Sequence, residues 1–453
     1  MIGTLNNKSR EVTIIGAGIS GLVAAYHLHK VGKIVTIIES SNRVGGVIKT
    51  TNTPWGIAES AAHSFLATPA VLNLCDELGV KLTGIRKGST KRYILRSGKM
   101  RTFPLSVSEV ILTFLKAYFR FSLKKDSDPN QAKKMTMEEW GHKFLGKAAV
   151  KYLITPFLRG IYGASPSEIS VAAAYPGLLI PRGHSLFSFI LFKLRKKFLC
   201  KKLQKKTSAQ TVLKKTVKLR RGMMSPASGM GDLVAKLEQK LTAELGGRFL
   251  IDSPALELPD HANIILTTPA HEAAYLLEQH EHTLSSALHS VTYTPLISAT
   301  VFMAKHSMPP KGIRGIGVLM PENEKVQCLG ILFNSSSFTD RVVNEEKYES
   351  FTVMIGSSPE NNALSLSDDE IISFIYRDMK TVLGISSPPI HVVINRWPKA
   401  IPKYNSTLFD TWSLARKSWC SMPGRILFGN YTGQISLRGM IESSASLAAS
   451  LQD

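Results

Sequence analysis

The glycines near the start of the chain have the spacing that binds the phosphates of a dinucleotide. Gly16, Gly18 and Gly21 fit the pattern G-x-G-x-x-G, and they follow the β-branched run Val12–Ile15. The first glycine permits a tight turn, the second lets the backbone approach a pyrophosphate, and the third lets the following helix pack closely. The amino terminus of that helix then offers free N–H groups and partial positive charge to the phosphates.

An acidic residue and a glycine pair follow this turn at short distances. Glu39 ends the β-branched run Ile34–Ile38, where its carboxylate can accept hydrogen bonds from ribose hydroxyls. Gly45-Gly46 lie just beyond. This pair resembles the pattern of amine-oxidase-type flavoproteins and therefore implies FAD rather than NAD. No second G-x-G-x-x-G follows a strand, which argues against a separate NADPH site and favours oxygen or another diffusible electron acceptor.

The elements that must position this site alternate along the chain. Residues 11–39 are predicted to form a strand, a helix and a second strand. Helical spacing recurs in 107–121 and 233–245, and β-like runs dominate 296–393 around one helix at Asp368–Leu383. A chain of 453 residues is too long for one ordinary core, so two or three domains are expected.

Positive charge is concentrated in one segment. Lys and Arg number 56 against 34 Asp and Glu, a net charge of +22 that indicates an anionic partner. Thirteen of these basic residues lie in 193–221, and apolar residues at helical spacing run from Phe187 to Phe198. A basic amphipathic helix on an anionic bilayer fits this pattern best. A solvated charged face and nucleic-acid binding are the alternatives, and the aromatic residues are not spaced as stacking platforms for nucleic acid.

The cysteines argue against several classes of site. Cys75, Cys200, Cys328 and Cys420 are scattered without a Cys-x-x-Cys pair, which disfavours a zinc site, an iron–sulfur cluster or a disulfide framework. No metal-ligand spacing is present, so no metal is predicted. Met1–Arg10 lacks the apolar core of a signal peptide, and no apolar run approaches the roughly 20 residues of a membrane span. We therefore expect a cytoplasmic protein with reduced thiols.

Motifs along the whole chain resemble those of the protoporphyrinogen oxidase family, in family order. Arg396–Tyr404 resembles the string R-W-x-x-A-I-P-x-Y. Gly429–Leu437, followed by Ile441-Glu442-Ser443, resembles the family's carboxy-terminal flavin-binding motif G-N-Y-x-G-x-[VI]-S-[VL]…I-E-S. Shorter matches are Phe103–Ser106, Gly160–Pro166 and Leu329–Phe333.

The resemblance implies an α/β fold with three parts. A Rossmann-type FAD-binding domain would comprise residues 1–86, 227–292 and 412–453. A substrate domain with a mixed or antiparallel sheet would comprise residues 87–105, 207–226 and 293–411. Residues 106–206 would form a helical, membrane-associated lobe.

The resemblance also implies the residues of the site. Those that contact FAD would be Gly16, Ala17, Gly18, Ile19, Ser20, Gly21, Glu39, Ser40, Arg43, Gly45, Gly46, Val47, Ala61, Ala62, His63, Ser64, Ala255, Asn430, Ile435, Ser436 and Leu437. Arg92, Gly163 and Phe338 would contact the substrate. Arg92 suits a propionate, because a guanidinium pairs with a carboxylate through two hydrogen bonds. No side chain is assigned as catalytic, since the cofactor carries the oxidation.

Three pairs of residues depart from the family pattern. Ala61-Ala62 stand where the family often has Gly-Pro, Ala164-Ser165 replace Gly-Asp, and Ser406-Thr407 stand where Gly-His is common. These differences bear on substrate and rate rather than on FAD binding.

The implied activity is oxidation of protoporphyrinogen IX to protoporphyrin IX in haem biosynthesis, with six electrons leaving in three two-electron steps through FAD. Three alternatives stay open: coproporphyrinogen III oxidation, an amine-oxidase-like reaction on another substrate, and a non-catalytic membrane-bound carrier of porphyrin or flavin. The implied partners are the porphyrinogen and an anionic membrane at its cytoplasmic face, without nucleic acid. Ferrochelatase and a second copy of the chain are left open as partners.

Overall fold

The computed structural model of the chain describes residues 10–121, 131, 133–181, 183–194, 222–259, 263–322, 324–356 and 362–451. The strands are β1 (Glu11–Ile15), β2 (Ile34–Ile38), β3 (Thr50–Thr53), β4 (Gly56–Glu59), β5 (Phe65–Leu66), β6 (Leu82–Gly84), β7 (Arg92–Arg96), β8 (Lys99–Arg101), β9 (Met223–Pro226), β10 (Phe249–Leu250), β11 (Ile264–Leu266), β12 (Tyr293–Ala304), β13 (Gly317–Leu319), β14 (Cys328–Phe333), β15 (Tyr348–Gly356), β16 (His391–Pro402) and β17 (Arg425–Leu427). The helices are α1 (Ile19–Lys30), α2 (Pro69–Glu77), α3 (Val107–Phe119), α4 (Met137–Phe144), α5 (Lys147–Ala149), α6 (Thr155–Tyr162), α7 (Val171–Ala174), α8 (186–194), α9 (Met230–Leu245), α10 (Ala270–Leu277), α11 (His282–His289), α12 (Asn334–Ser337), α13 (Asp368–Leu383), α14 (Ser406–Lys417) and α15 (Leu437–Ser450).

A five-stranded parallel sheet has the order β10-β2-β1-β11-β17. Its strands come from three separate stretches of the chain, and the predicted βαβ unit at 11–39 forms its centre. Helices α1, α9 and α15 pack together on this sheet through the fully buried side chains of Leu22, Leu237, Leu241 and Ile441. In a parallel sheet the loops that follow the strands meet at one edge, which is where such folds bind their ligands.

A seven-stranded mixed sheet has the order β16-β12-β15-β14-β13-β7-β8, and only β13 and β7 run parallel. Helix α13 covers one face and packs Ile371, Ile375 and Met379 on that sheet. The bounds of α13 agree with the sequence prediction, because Ser367 and Glu370 form a reciprocal capping box at its start. The α/β class predicted from the sequence is confirmed.

The helical region between β8 and β9 contains a π-helix and a helix without buried side chains. A π-helix at Val150–Ile154 connects α5 to α6, and such π-helical turns often occur at functional sites. Helix α3 begins in a capping box of Ser106 and Glu109, yet none of its side chains is buried. None of the helices in the described residues is long and apolar enough to cross a bilayer.

Strand β9 and the basic segment 193–221 each bear on a prediction made from the sequence. Strand β9, at the end of the range 207–226 assigned to the substrate domain, pairs with β5 and β6, which were assigned to the FAD-binding domain. Most of the basic segment 193–221, including Phe198, lies outside the described residues. The domain boundaries and the helical form of that segment therefore stay predictions.

Candidate active site

The turn after β1 is built from glycines in close contact. Gly16 has a φ of +104°, and its N–H donates to the Ile38 carbonyl at 2.8 Å. A Cβ on Gly21 would lie 1.9 Å from the Gly16 carbonyl oxygen, so α1 starts directly against the turn. The Thr267 hydroxyl donates to the same oxygen at 2.7 Å. The turn is thus held from both sides in the geometry that a pyrophosphate requires.

The amino terminus of α1 is open to an anion. No side chain caps it, and its first turn contains no acidic residue. A Cβ on Gly18 would meet no atom within 4 Å, whereas the Gly45 N–H donates to the Ala17 carbonyl at 2.8 Å and a Cβ on Gly46 would lie 3.3 Å from the Cα of Gly18. The predicted glycine pair therefore lies against the turn and leaves space at Gly18 for phosphate.

The Glu39 carboxylate is held in place beside this turn. It accepts hydrogen bonds from the Ala17 N–H at 2.6 Å, the Ser41 N–H at 2.9 Å and the Ser41 hydroxyl at 2.7 Å. Two carboxylate oxygens have about four lone pairs, so acceptor capacity is left for ribose hydroxyls. The Ser253 N–H donates to the Glu39 carbonyl at 2.8 Å, which brings the predicted Ala255 to the same edge of the sheet.

The loop from 40 to 47 is stabilised by its own arginine. Arg43 donates to the carbonyls of Val44 at 3.3 Å and Gly46 at 2.5 Å. Ser40 and Val47 are exposed on this loop. Arg43 therefore shapes the glycine pair, whichever contact it makes with the cofactor.

The carboxy-terminal motif forms the start of the last helix. Ser436 caps α15 by accepting from the Gly439 N–H at 3.1 Å, so Leu437 is its first residue and Ile435 lies just before it. The Ser20 hydroxyl lies 3.1 Å from the Met440 sulfur and joins α15 to α1. The Asn430 carbonyl accepts from the Tyr404 hydroxyl at 2.5 Å. The two ends of the chain thus meet beside the glycine turn.

These residues fit FAD. The open helix terminus matches a pyrophosphate, the oriented carboxylate of Glu39 matches a ribose, and the glycines at 16, 18 and 21 leave room that larger residues would fill.

We expect Glu39→Ala to weaken FAD binding by about 1–3 kcal/mol, the usual cost of a lost charge-assisted hydrogen bond. Titration of the apoprotein with FAD, followed by flavin fluorescence, measures the change. Glu278→Ala, at an exposed glutamate outside the predicted FAD contacts, is the matched control and should bind like the parent. Equal affinity of the Glu39 variant and the parent would remove Glu39 from the ribose site.

A cavity of about 780 Å³ lies between the second sheet and the helical region. It is bounded by Ala61, His63, Arg92, Tyr93, Ile94, Thr102, Leu153, Ile154, Phe157, Arg159, Gly160, Gly163, Met223, Leu296, Ile316, Gly317, Val318, Leu319, Leu329, Gly330, Ile331, Leu332, Met354 and Ile401. The walls are mainly apolar and contain no Asp or Glu among the described residues. Four predicted site residues, Ala61, His63, Arg92 and Gly163, lie in this wall, and the other two of that loop, Ala62 and Ser64, are half-buried next to it.

His63 is neutral in this wall. Burial, together with the positive charge of Arg341, lowers the pKa of His63 to about 4. Its Nδ1 lies 3.4 Å from the Thr352 hydroxyl, while its buried Nε2 has no hydrogen-bond partner among the described residues. His63 therefore brings an uncharged polar edge to an otherwise apolar cavity. No group of three or more His, Cys, Asp or Glu in the described part of the chain could hold a metal ion.

A buried ion pair beside the cavity was missed by the sequence analysis. The side chains of Glu59 and Arg341 are 6% and 5% exposed, and Oε1 lies 4.0 Å from Nη1. Arg341 also donates to the Ser225 hydroxyl and the Pro226 carbonyl, both at 2.9 Å. Arg341 follows a mostly polar run at 334–340, and no local pattern in the sequence relates it to Glu59.

Phe338, predicted to contact the substrate, lies elsewhere. It is buried, its ring packs 5.5 Å from the Arg341 guanidinium, and it is absent from the described wall of the large cavity. Its role in this structure is to support Arg341.

Two of the departures from the family pattern have local structural roles. Ser406 starts α14, because Asn405 caps that helix by accepting from the Leu408 N–H at 3.0 Å. The Ser165 hydroxyl donates to Glu322 at 2.8 Å. Neither departure changes the glycine turn.

A parallel sheet with a dinucleotide turn, joined to a mixed sheet with a large apolar cavity, defines an FAD-dependent oxidoreductase. The model of the family "flavin containing amine oxidoreductase" matches residues 19–449, and the chain belongs to that family. The FAD and the enzyme class predicted from the sequence are confirmed.

Similar proteins extend over nearly the whole chain. Protoporphyrinogen oxidase 2 of Arabidopsis thaliana is 27% identical, over 97% of this chain and 93% of that protein. Coproporphyrinogen III oxidase of Bacillus subtilis (strain 168) is 23% identical, over 88% of this chain and 89% of that protein. Cyclohexylamine oxidase from Brevibacterium oxydans IH-35A has the same fold, with a TM-score of 0.65 at 15% identity and 98% coverage of both chains. The predicted resemblance to protoporphyrinogen oxidases is thereby confirmed.

Proposed function

We propose that the protein oxidises protoporphyrinogen IX to protoporphyrin IX, removing six electrons in three two-electron steps with oxygen or another diffusible acceptor. The observation that carries this proposal is the cavity: it is large, mainly apolar, carries arginine in its wall and lacks described carboxylates. A tetrapyrrole with an apolar rim and propionates matches it. The names of the similar proteins, protoporphyrinogen oxidase and coproporphyrinogen III oxidase, support the same substrate class.

The protein's own groups hold and shield the substrate in this proposal. FAD, when bound, supplies the two-electron oxidising chemistry. Arg92, at the exposed start of β7, binds a propionate through charge-assisted hydrogen bonds. Apolar walls such as those of Leu296, Leu332 and Met354 exclude water from the ring. The neutral imidazole of His63 adds no charge that would repel or attract the ring.

Turnover with protoporphyrinogen IX and coproporphyrinogen III, measured side by side, tests the proposal. Anaerobic addition of protoporphyrinogen IX should bleach the flavin absorbance within the enzymatic turnover time, and porphyrin fluorescence should rise when oxygen is admitted. Faster turnover of coproporphyrinogen III would assign the second substrate instead. Bleaching by neither porphyrinogen, but by a primary amine, would place the protein among the amine oxidases. Tight porphyrin binding without bleaching would identify a carrier.

We further propose that the protein binds the surface of an anionic bilayer through α3, α8 and the basic segment. Val107, Leu112 and Phe119 on α3 are 78%, 62% and 64% exposed, an unusual concentration of apolar surface on one helix. Phe187 on α8 packs 5.7 Å from Phe114 and joins the two helices. The thirteen Lys and Arg in 193–221 supply the charge, at about 1 kcal/mol for each one near the lipid.

Vesicle sedimentation measures this binding. We expect binding that requires anionic lipid and weakens, without vanishing, at high salt, because salt screens charge but not apolar burial. The double variant Leu112→Glu, Phe119→Glu should abolish the vesicle binding that persists at high salt. Replacement of Lys196, Lys197, Lys201 and Lys202 by Gln should release much of the protein while the flavin spectrum is unchanged. Leu256→Glu, at a position that is 86% exposed and far from α3 in sequence, is the control.

Equal binding of the parent to neutral and anionic vesicles would contradict the electrostatic part. Binding to nucleic acid but not to vesicles would contradict the whole proposal. Ferrochelatase and a second copy of the chain stay open as partners, and the cytoplasmic face of the membrane stays a prediction.

A further inference from the structure

The wall of the large cavity contains a second arginine that no motif assigned. Arg92 begins β7, and Arg159 lies on α6 directly before Gly160. Within the described residues, neither guanidinium has a carboxylate within 4.0 Å. Among the described residues, Arg92 donates only to the Met223 sulfur, a weak acceptor, at 3.2 Å.

Arg159 is a half-buried charge without an ion-pair partner. Burial lowers its pKa and the nearby Glu322 raises it, but an arginine stays protonated in either case. Glu322 itself is exposed, and its carboxylate accepts from the Ser165 hydroxyl at 2.8 Å. Because a partly buried charge is costly unless it is paired, an anionic ligand in the cavity would stabilise Arg159.

The two arginines reach the cavity from different elements, Arg92 from β7 and Arg159 from α6. Helix α6 crosses β13 at Gly160, where a Cβ would lie 2.8 Å from the Leu319 side chain. Leu319 pairs with Ile94 on β7, two residues, or roughly 6.6 Å, along the strand from Arg92. Both arginines thus lie in the wall of one cavity of about 780 Å³, where a single ligand with two acidic groups can meet both.

We propose that Arg159 binds a second carboxylate of the substrate, so that the cavity selects an apolar dicarboxylate. This inference rests on the proposed function and makes it more specific. No further Lys or Arg lies among the described residues of the wall. A tetracarboxylate would therefore place two carboxylates against apolar side chains, which is unfavourable. The two arginines thus favour protoporphyrinogen IX over coproporphyrinogen III.

The first experiment uses the unaltered FAD-containing protein. Its fluorescence titration with protoporphyrin IX, the monomethyl ester and the dimethyl ester should show two successive losses of affinity. Each loss should be about tenfold to a hundredfold, the effect of a hydrogen bond to a charged group. A single loss between the diacid and the dimethyl ester, with the monomethyl ester as tight as the diacid, would overturn the second carboxylate site.

The second experiment compares variants with the same three ligands. Arg159→Ala should weaken binding of the diacid about tenfold to a hundredfold and change binding of the dimethyl ester by less than about twofold. Arg159→Lys keeps the charge and should restore part of the lost affinity. Arg92→Ala should behave like Arg159→Ala, and Arg101→Ala, an exposed arginine on β8 outside the described wall, should behave like the parent. The flavin spectrum verifies that each variant is folded.

The outcomes separate this inference from the proposed function. A parent protein that neither binds porphyrin nor oxidises a porphyrinogen would overturn the proposed function. A parent that does both, while Arg159→Ala binds the diacid as tightly and Arg92→Ala does not, would overturn the role of Arg159 alone. An equal loss for diacid and dimethyl ester in Arg159→Ala would likewise overturn it, because the effect would then be structural.

Discussion

Gly21→Ala is expected to yield a protein that is purified without FAD. The new Cβ would lie 1.9 Å from the Gly16 carbonyl oxygen and 2.8 Å from the Thr267 hydroxyl. The first contact is with backbone and cannot be relieved by a side-chain rotation, so α1 must move away from the turn. Overpacking of this kind costs about 1–3 kcal/mol or more, and the moved helix no longer presents its N–H groups to the pyrophosphate. We expect FAD affinity to fall by at least about a hundredfold, on the order of 3 kcal/mol.

Two other glycines provide the controls for this result. Gly18→Ala adds a Cβ that meets no protein atom within 4 Å. Its apoprotein should therefore melt like the parent apoprotein, although FAD binding is lost because the methyl group occupies the space of the phosphate. Gly247→Ala, at an open surface position, should change neither property. The ratio of flavin to protein absorbance and the melting temperature of each apoprotein are the measurements. A Gly21→Ala protein with parental FAD content would show that α1 does not form the phosphate site.

Arg341→Met is expected to destabilise the protein by about 3–5 kcal/mol, the usual cost of leaving one charge of a buried pair unpaired. Glu59 would stay behind almost fully buried, with the Thr50 hydroxyl at 2.7 Å and the Met230 N–H at 2.8 Å as its remaining partners. Burial already raises the pKa of Glu59, and loss of the Arg341 charge raises it further. Urea denaturation of variant and parent, followed by fluorescence, gives the difference in free energy of unfolding.

A double variant and a surface pair test the cause. Glu59→Leu together with Arg341→Met removes both charges and should recover part of the lost stability, because an apolar pair of similar volume does not need hydrogen bonds. Lys240→Met breaks a pair with Glu244 on the surface of α9, where the side chains are 40% and 31% exposed. It should cost no more than about 0.5 kcal/mol. Equal effects of Arg341→Met and Lys240→Met would show that the buried pair contributes little.

Features that depend on neighbouring residues could be predicted from the local sequence. The glycine turn, Glu39 after β2, the βαβ unit and the bounds of α13 were all predicted, and each follows from local spacing: glycines that permit a turn, β-branched runs that form strands, and a capping box that starts a helix. The FAD and the enzyme class follow from the same local motifs and the resemblance that they carry.

Residues far apart in sequence come together in the cavity and in the buried ion pair through tertiary packing. Arg159 is 67 positions from Arg92, and Glu59 is 282 positions from Arg341, so no local pattern relates them. Phe338 was predicted to contact the substrate, yet its ring packs against Arg341 and it is absent from the described cavity wall. The physical reason is that the local sequence does not show whether a charged side chain is buried or exposed to solvent. Tertiary packing buries Glu59 and Arg341 and leaves Arg159 half-buried, and a buried charge is costly unless it is paired.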